Sequence, residues 1–191
     1  MSDKAVALMV TWLLTLLIVA SVVAIIVGCA SAVTVDTVER LTVDAESSDD
    51  GYDREDYDPS SGICEGMSGT LDPYTGTEID KCAVDHVVAL KEAHESGAYD
   101  WDDDRRQRFN NDPRNLVASR SCVNSSKSDR DIAEWSDEWI ARSSACGGGY
   151  SVTAEGRCFF AQTTVAVKGT WGLSVDEAEQ AALVAALADC E

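Results

Sequence analysis

Apolar positions are distributed very unevenly along this chain, and their spacing predicts most of its elements. Ala5 to Val27 is an apolar run interrupted at Thr11, Thr15 and Ser21, long enough to span a bilayer. Cys82 to Leu90 alternates as a buried strand does, with Asp85 and His86 within it, and Leu116 to Ala118 reads as a second short strand. Between them, Asp100 to Phe109 starts acidic and ends basic, the order the helix dipole favours. The run Asn110-Asn111-Asp112-Pro113-Arg114 stops that helix, and Leu90 to Gly97, with His94, reads as a polar helix end closed by glycine. A further helix is predicted from about Ser121. In Asp131 to Ile140, Ile132, Trp135 and Trp139 fall at helical spacing and read as core. Arg157 to Trp171 is another predicted helix, and Ser174-Val175-Asp176-Glu177 reads as a capping box opening a last one that reaches Cys190. Gly69 to Thr77 carries the Gly and Asp-Pro signals of a turn between short strands, and Gly147 to Gly149 those of a flexible loop.

These patterns divide the chain into three parts. Residues 1–32 read as a targeting segment: Lys4 precedes the apolar run and Gly28-Cys29-Ala30-Ser31-Ala32 follows it. Cleavage after Ala32, lipidation of Cys29 in a lipobox-like Ile26-Val27-Gly28-Cys29, and an uncleaved anchor all remain open. Each places the rest of the chain outside the cytoplasm, secreted or anchored at the outer surface of a membrane, which it would meet only through this segment. Residues 33–51 read as an acidic linker with little regular structure, since Val33 to Gly62 holds ten Asp or Glu against Arg40 and Arg54. Residues 52–191 then form a single domain.

Cysteines agree with export. Apart from Cys29 there are six: Cys64, Cys82, Cys122, Cys146, Cys158 and Cys190. An even number in an exported chain predicts three disulfides. Fifteen connectivities are possible; pairing each cysteine with its neighbour in the sequence is preferred. No Cys-x-x-Cys pair occurs, so no structural zinc is expected.

Charge changes the picture twice. A net charge of −19 argues against a partner as acidic as nucleic acid. Between Arg105 and Arg130, however, seven basic side chains stand against Asp112 and Asp129, so a local groove could bind where the global field repels. An excess of Asp over Glu with only five Lys also suggests a protein that works in high salt.

The candidate chemistry lies from Val84 to Lys127. Val84-Asp85-His86-Val87-Val88 is followed by Asn115-Leu116 and then by Cys122-Val123-Asn124-Ser125-Ser126-Lys127. Phosphodiester hydrolysis needs a base for water and positive charge beside the phosphate. An imidazole that titrates near neutrality and hard oxygen donors for Mg²⁺ supply both. In order and spacing these residues resemble the HNH (ββα-metal, His-Me finger) endonucleases, in particular small secreted members. The pieces Tyr52-Asp53-Arg54 and Pro73-Tyr74-Thr75-Gly76 are similar to stretches of those proteins as well.

The resemblance implies an α+β fold in which a ββα-metal finger is embedded in a mainly helical, disulfide-stabilised domain. It implies His86 as general base, Asn115 as the residue that fixes the base, and Asp85 and Asn124 as ligands of one Mg²⁺ or Mn²⁺. Lys127 and Arg130 would meet phosphate, and Arg54 would reach the scissile phosphate or pair with a carboxylate. The expected activity is hydrolysis of DNA, or of RNA, with low sequence specificity by a monomer. Two other readings stay open: an extracellular nucleic-acid-binding module without turnover, and an acidic interaction protein that binds Ca²⁺.

Overall fold

The structure is a computed structural model, and it describes residues 33–47, 51–57, 62–135, 146–147 and 150–190. The proposed targeting segment and Trp139 lie outside the described residues. In chain order the elements are α1 (Val35–Val38), β1 (Cys82–His86), α2 (Leu90–Glu95), α3 (Asp103–Asn110), β2 (Leu116–Arg120), α4 (Ser121–Lys127), α5 (Ala154–Trp171) and α6 (Glu177–Ala188). Single 3₁₀ turns occur at Arg54–Asp56 and Ala98–Asp100. The fold is therefore α+β, with a small antiparallel sheet among helices.

β1 and β2 pair antiparallel in a register that sets Cys82 opposite Arg120 and His86 opposite Leu116. β1 is shorter than its apolar pattern suggests. After His86 the backbone turns inward, and Val87 and Val88 are buried in two different clusters before α2 begins. β2 runs directly into α4, which packs back on both strands. The Asp-Pro turn ahead of β1 is fastened to this unit by Asp72. One of its oxygens accepts from the Tyr74 and Thr75 amides, and the other from Ser119 Oγ and the Arg120 amide, both at 2.7 Å.

Among the described residues α5 is the longest helix, and both of its ends are specified. Thr153 caps the N-terminus by accepting from the Gly156 amide at 2.9 Å, and Gly172 at φ 68° terminates the helix in the left-handed region that glycine tolerates. Its Phe160, Ala161 and Val165 join Tyr74, Val123, Ile132, Trp135 and Leu183 in the larger core. Its Val167 joins Tyr57, Val88, Leu90 and Phe109 in the smaller one. Gly156 lets α5 approach the turn closely, since a Cβ there would stand 1.9 Å from the Tyr74 carbonyl oxygen.

A buried ion cluster ties α2, α5 and α6 together. Lys168 Nζ, fully enclosed, donates to Glu92, Glu179, Ser96 Oγ and the Ser174 carbonyl. Burying one charge would be costly; with four acceptors around it the ammonium is retained, and its pKa is raised by Glu179 and Glu92 against the opposing effect of burial.

Three disulfides join Cys64 to Cys82, Cys122 to Cys146 and Cys158 to Cys190. The first anchors the start of β1, the second the first turn of α4, and the third links α5 to the end of α6.

Two expectations are corrected. Residues 33–47 are no loose linker: α1 packs against α6, Val38 is fully buried, and Val33, Val35 and Leu41 lie against the core. Backbone bonds join Val175 to Thr42 and Asp44 at 2.9 Å each and Ser47 to Glu95 at 2.9 Å. Acidic residues between the apolar ones hide an apolar stripe from a composition count. The cap of α6 is Asp176, which accepts from the Glu179 amide at 2.7 Å, while Ser174 Oγ turns away to the Ser96 carbonyl. Ile132 and Trp135 are buried as expected, in a turn that Asp131 stabilises by accepting from the Ala133 and Glu134 amides.

Candidate active site

The strand–helix unit brings three of the sequence-selected residues to one place. Asp85 and His86 end β1, and Asn124 lies on α4 with its Nδ2 donating to the Val84 carbonyl at 3.3 Å. All three line a cleft of about 480 Å³ with Tyr52, Arg54, Lys91 and Asp129. With Nδ2 committed to β1, Oδ1 of Asn124 is the atom suited to a ligand.

His86 is held in one tautomer. Its Nε2 is 2.9 Å from the Asn110 carbonyl oxygen, which can only accept. Nε2 therefore carries the proton and Nδ1 is the basic atom of the neutral ring. Burial lowers the pKa of His86, outweighing the opposite effects of the Asn110 carbonyl and Asp85. The ring thus stays neutral, as a base must be, to a lower pH than an ordinary imidazole.

Asn115 is fully buried and fixes the segment after His86 from both sides. Its Oδ1 accepts from the Val88 amide at 2.8 Å and its Nδ2 donates to the Val88 carbonyl at 3.0 Å. Its own carbonyl accepts from the Val87 amide at 2.9 Å. The chain leaving the histidine is locked onto the chain entering β2.

Asp85 is almost fully buried at 3 % exposure. One oxygen accepts from the Tyr74 hydroxyl and the other from Lys127 Nζ at 3.1 Å.

The basic residues differ most from expectation. Lys127 has no exposure and does not face a substrate; its ammonium donates inward to Asp85 and to the His86 carbonyl at 2.8 Å. Arg130 donates to the carbonyls of Ser126 and Lys127, closing the C-terminal end of α4. Arg105 bonds the Trp171 carbonyl and covers Trp101, Arg114 pairs with Asp112, and Arg120 pairs with Asp80 and covers Tyr150. Proximity in sequence overstated the basic groove, because these cations serve internal carboxylates, carbonyls and rings. Arg54, exposed and donating to the Tyr57 carbonyl at 3.1 Å, does line the cleft. So does Lys91, which sequence reasoning missed; Asp129 and Glu95 hold it and raise its pKa. From sequence alone Tyr74 is set in a turn and in the Pro73-Tyr74-Thr75-Gly76 stretch and is given no role in the site. A tyrosine beside Asp-Pro that packs inward needs a partner for its hydroxyl, and that need is the signal that was available.

Asp85 and Asn124 are side chains of this cleft whose oxygens are of the kind a hard divalent ion takes. They offer a carboxylate and an amide oxygen in one open cleft, with room for water and phosphate. Among the described residues, further acidic groups stand close together at Glu46, Asp131 and Asp176 and at Glu46, Glu92 and Glu95, outside this cleft.

Residues 42–186 match the family model of the C-terminal domain of GmrSD restriction endonucleases, and the chain belongs to that family. The family takes its name from restriction endonucleases. The chain is also 32 % identical over 139 residues to an uncharacterized secreted protein of Arthroderma benhamiae. That match covers 68 % of this chain and 59 % of the relative, so the chain spans less than two thirds of the relative's length. No solved structure matches. Three disulfides suit an oxidising compartment, in keeping with the secreted relative. Among the described residues no helix is long and apolar enough to cross a membrane.

Proposed function

We propose that this protein is a secreted or surface-tethered HNH-type endonuclease that hydrolyses phosphodiester bonds of DNA with low sequence specificity. The observation that carries the reading is His86, whose Nε2 is committed to the Asn110 carbonyl and whose ring lies beside Asp85 and Asn124 in one cleft. A neutral imidazole with a basic Nδ1 can take a proton from the attacking water. Asp85 and Asn124 would hold one Mg²⁺ or Mn²⁺, which when bound supplies positive charge at the phosphate and the leaving oxygen. Arg54, the exposed cation of the cleft, meets the incoming phosphate. Water oxygen bonds to phosphorus as the bond from phosphorus to the 3′ oxygen breaks; the water's proton passes to His86 and the leaving oxygen takes one from solvent, giving 5′-phosphate and 3′-hydroxyl ends. Asn115 and Asn110 orient the base without touching the substrate.

The test is plasmid nicking by the purified protein with Mg²⁺, with EDTA, and by the His86→Ala variant. Cutting in Mg²⁺ that is lost in EDTA and falls at least about 100-fold in the variant is expected. Equal cutting by the variant would remove His86 from the reaction. Folded protein that cuts under no divalent ion but retains DNA would favour a binding module.

A further inference from the structure

The position of Lys127 sets a puzzle. A fully buried ammonium stands 3.1 Å from an oxygen of Asp85, the only carboxylate in the proposed ligand pair, so the site contains a cation before any metal arrives. The same ammonium donates to the His86 carbonyl at 2.8 Å, so one side chain touches the backbone or side chain of both principal residues. On the other side, the buried Tyr74 hydroxyl donates to the second Asp85 oxygen. Each Asp85 oxygen therefore accepts one bond from inside the protein, and the carboxylate still lines the cleft.

We propose that Lys127 and Tyr74 are positioning residues of the metal centre with opposite effects on it. Lys127 acts as an internal counter-ion that partly neutralises Asp85 and weakens its hold on a divalent ion. Tyr74 acts by orientation, keeping the carboxylate turned to the cleft. The inference rests on the metal-dependent reading above. It assigns Lys127 a role different from phosphate binding, which its complete burial opposes.

The opposite signs follow from what each variant leaves behind. In Lys127→Met, Tyr74 still holds one oxygen, so orientation persists while an opposing charge is removed; affinity for the ion rises. In Tyr74→Phe, Lys127 still balances the charge, so only orientation is lost; affinity falls. The phenylalanine keeps the edge contacts of the ring with Trp135, Phe159 and Phe160 at 5.1–5.7 Å between centroids.

The experiment is titration of the wild type and both variants with Mn²⁺, read by electron paramagnetic resonance of the free ion, with DNA cleavage measured in parallel. Mn²⁺ should bind Lys127→Met about tenfold or more tightly than the wild type, in line with removal of a neighbouring charge. It should bind Tyr74→Phe about tenfold or more weakly, as loss of a group orienting a ligand implies. KM for DNA should stay within about twofold in Lys127→Met, because no phosphate contact is removed. Unchanged Mn²⁺ affinity with a raised KM in Lys127→Met would overturn the proposal in favour of a phosphate contact. Should that variant not fold, Tyr74→Phe decides: weaker Mn²⁺ binding supports the proposal and unchanged binding overturns it. Wild-type protein that neither binds Mn²⁺ nor cuts would instead overturn the metal-dependent function itself.

Discussion

Replacing Asn115 by alanine removes two hydrogen bonds, both to the backbone of Val88 and both enclosed, at 2.8 and 3.0 Å. Val88 is itself buried, so its amide and carbonyl would lose their partners without access to water. An orphaned buried polar group costs about 1–3 kcal/mol, so two cost about 2–6 kcal/mol, a large share of the roughly 5–15 kcal/mol that holds a domain folded. With a urea dependence of about 2 kcal/mol per molar, the midpoint should fall by about 1–3 M. Asn115→Asp is the informative companion. It keeps the acceptor for the Val88 amide but sets a carboxylate oxygen against the Val88 carbonyl, so it should be destabilised as well despite nearly identical volume. Equilibrium urea unfolding of the disulfide-intact protein, followed by tryptophan fluorescence, measures both. A loss below about 1 kcal/mol for Asn115→Ala would refute the claim that this side chain locks the two segments together.

Three further outcomes follow from other contacts. Gly156→Ala should destabilise by about 1–3 kcal/mol or more, because its methyl meets the Tyr74 carbonyl oxygen; thermal unfolding reads this, and an unchanged Tm would deny the close approach. Burial and neighbouring carboxylates raise the pKa of Glu179 and Glu46 to about 8 and of Asp131 to about 6. The native state then binds more protons than the unfolded chain above about pH 4.5, so stability should fall as pH rises from about 5 to 8. Tm measured at both ends checks the sign, and Glu179→Gln should flatten the slope; a Tm that rises with pH would contradict it. Lys91→Ala, which removes a cation lining the cleft, should raise KM for DNA by about threefold to tenfold with less effect on kcat, and an unaltered KM would exclude it from binding.

Much of the scaffold was legible because its signals are local. The strand bearing Asp85 and His86, the second strand and the helix from Ser121 each announce themselves within a few residues, and their order suggested a unit that the structure assembles. The acidic start of α3 is equally local. What was illegible is set by contacts across the fold. The docking of Val35, Val38 and Leu41 depends on surfaces of α5 and α6 more than a hundred residues away in the chain. The inward turn of Lys127 depends on Asp85 and the His86 carbonyl, some forty residues earlier in the chain, being brought beneath α4. The partner of His86 is a backbone carbonyl, which every residue possesses and no pattern marks. Counting charges along the chain therefore gave a groove that side chains, once paired in space, do not form.

Near its end, the excursion between His86 and Asn115 returns to the segment it started from, where the Asn110 carbonyl meets the His86 ring and the Asn115 side chain holds the Val88 backbone. Its earlier part holds the rim of the cleft through Leu90 and Lys91. The stretch from Gly97 to Trp101 between them has no place in the cleft lining. Ala98 within it is fully buried and Trp101 packs on Phe109 and Trp171, so this stretch braces the scaffold, and a change there reaches the reacting centre only through the helix that carries Asn110.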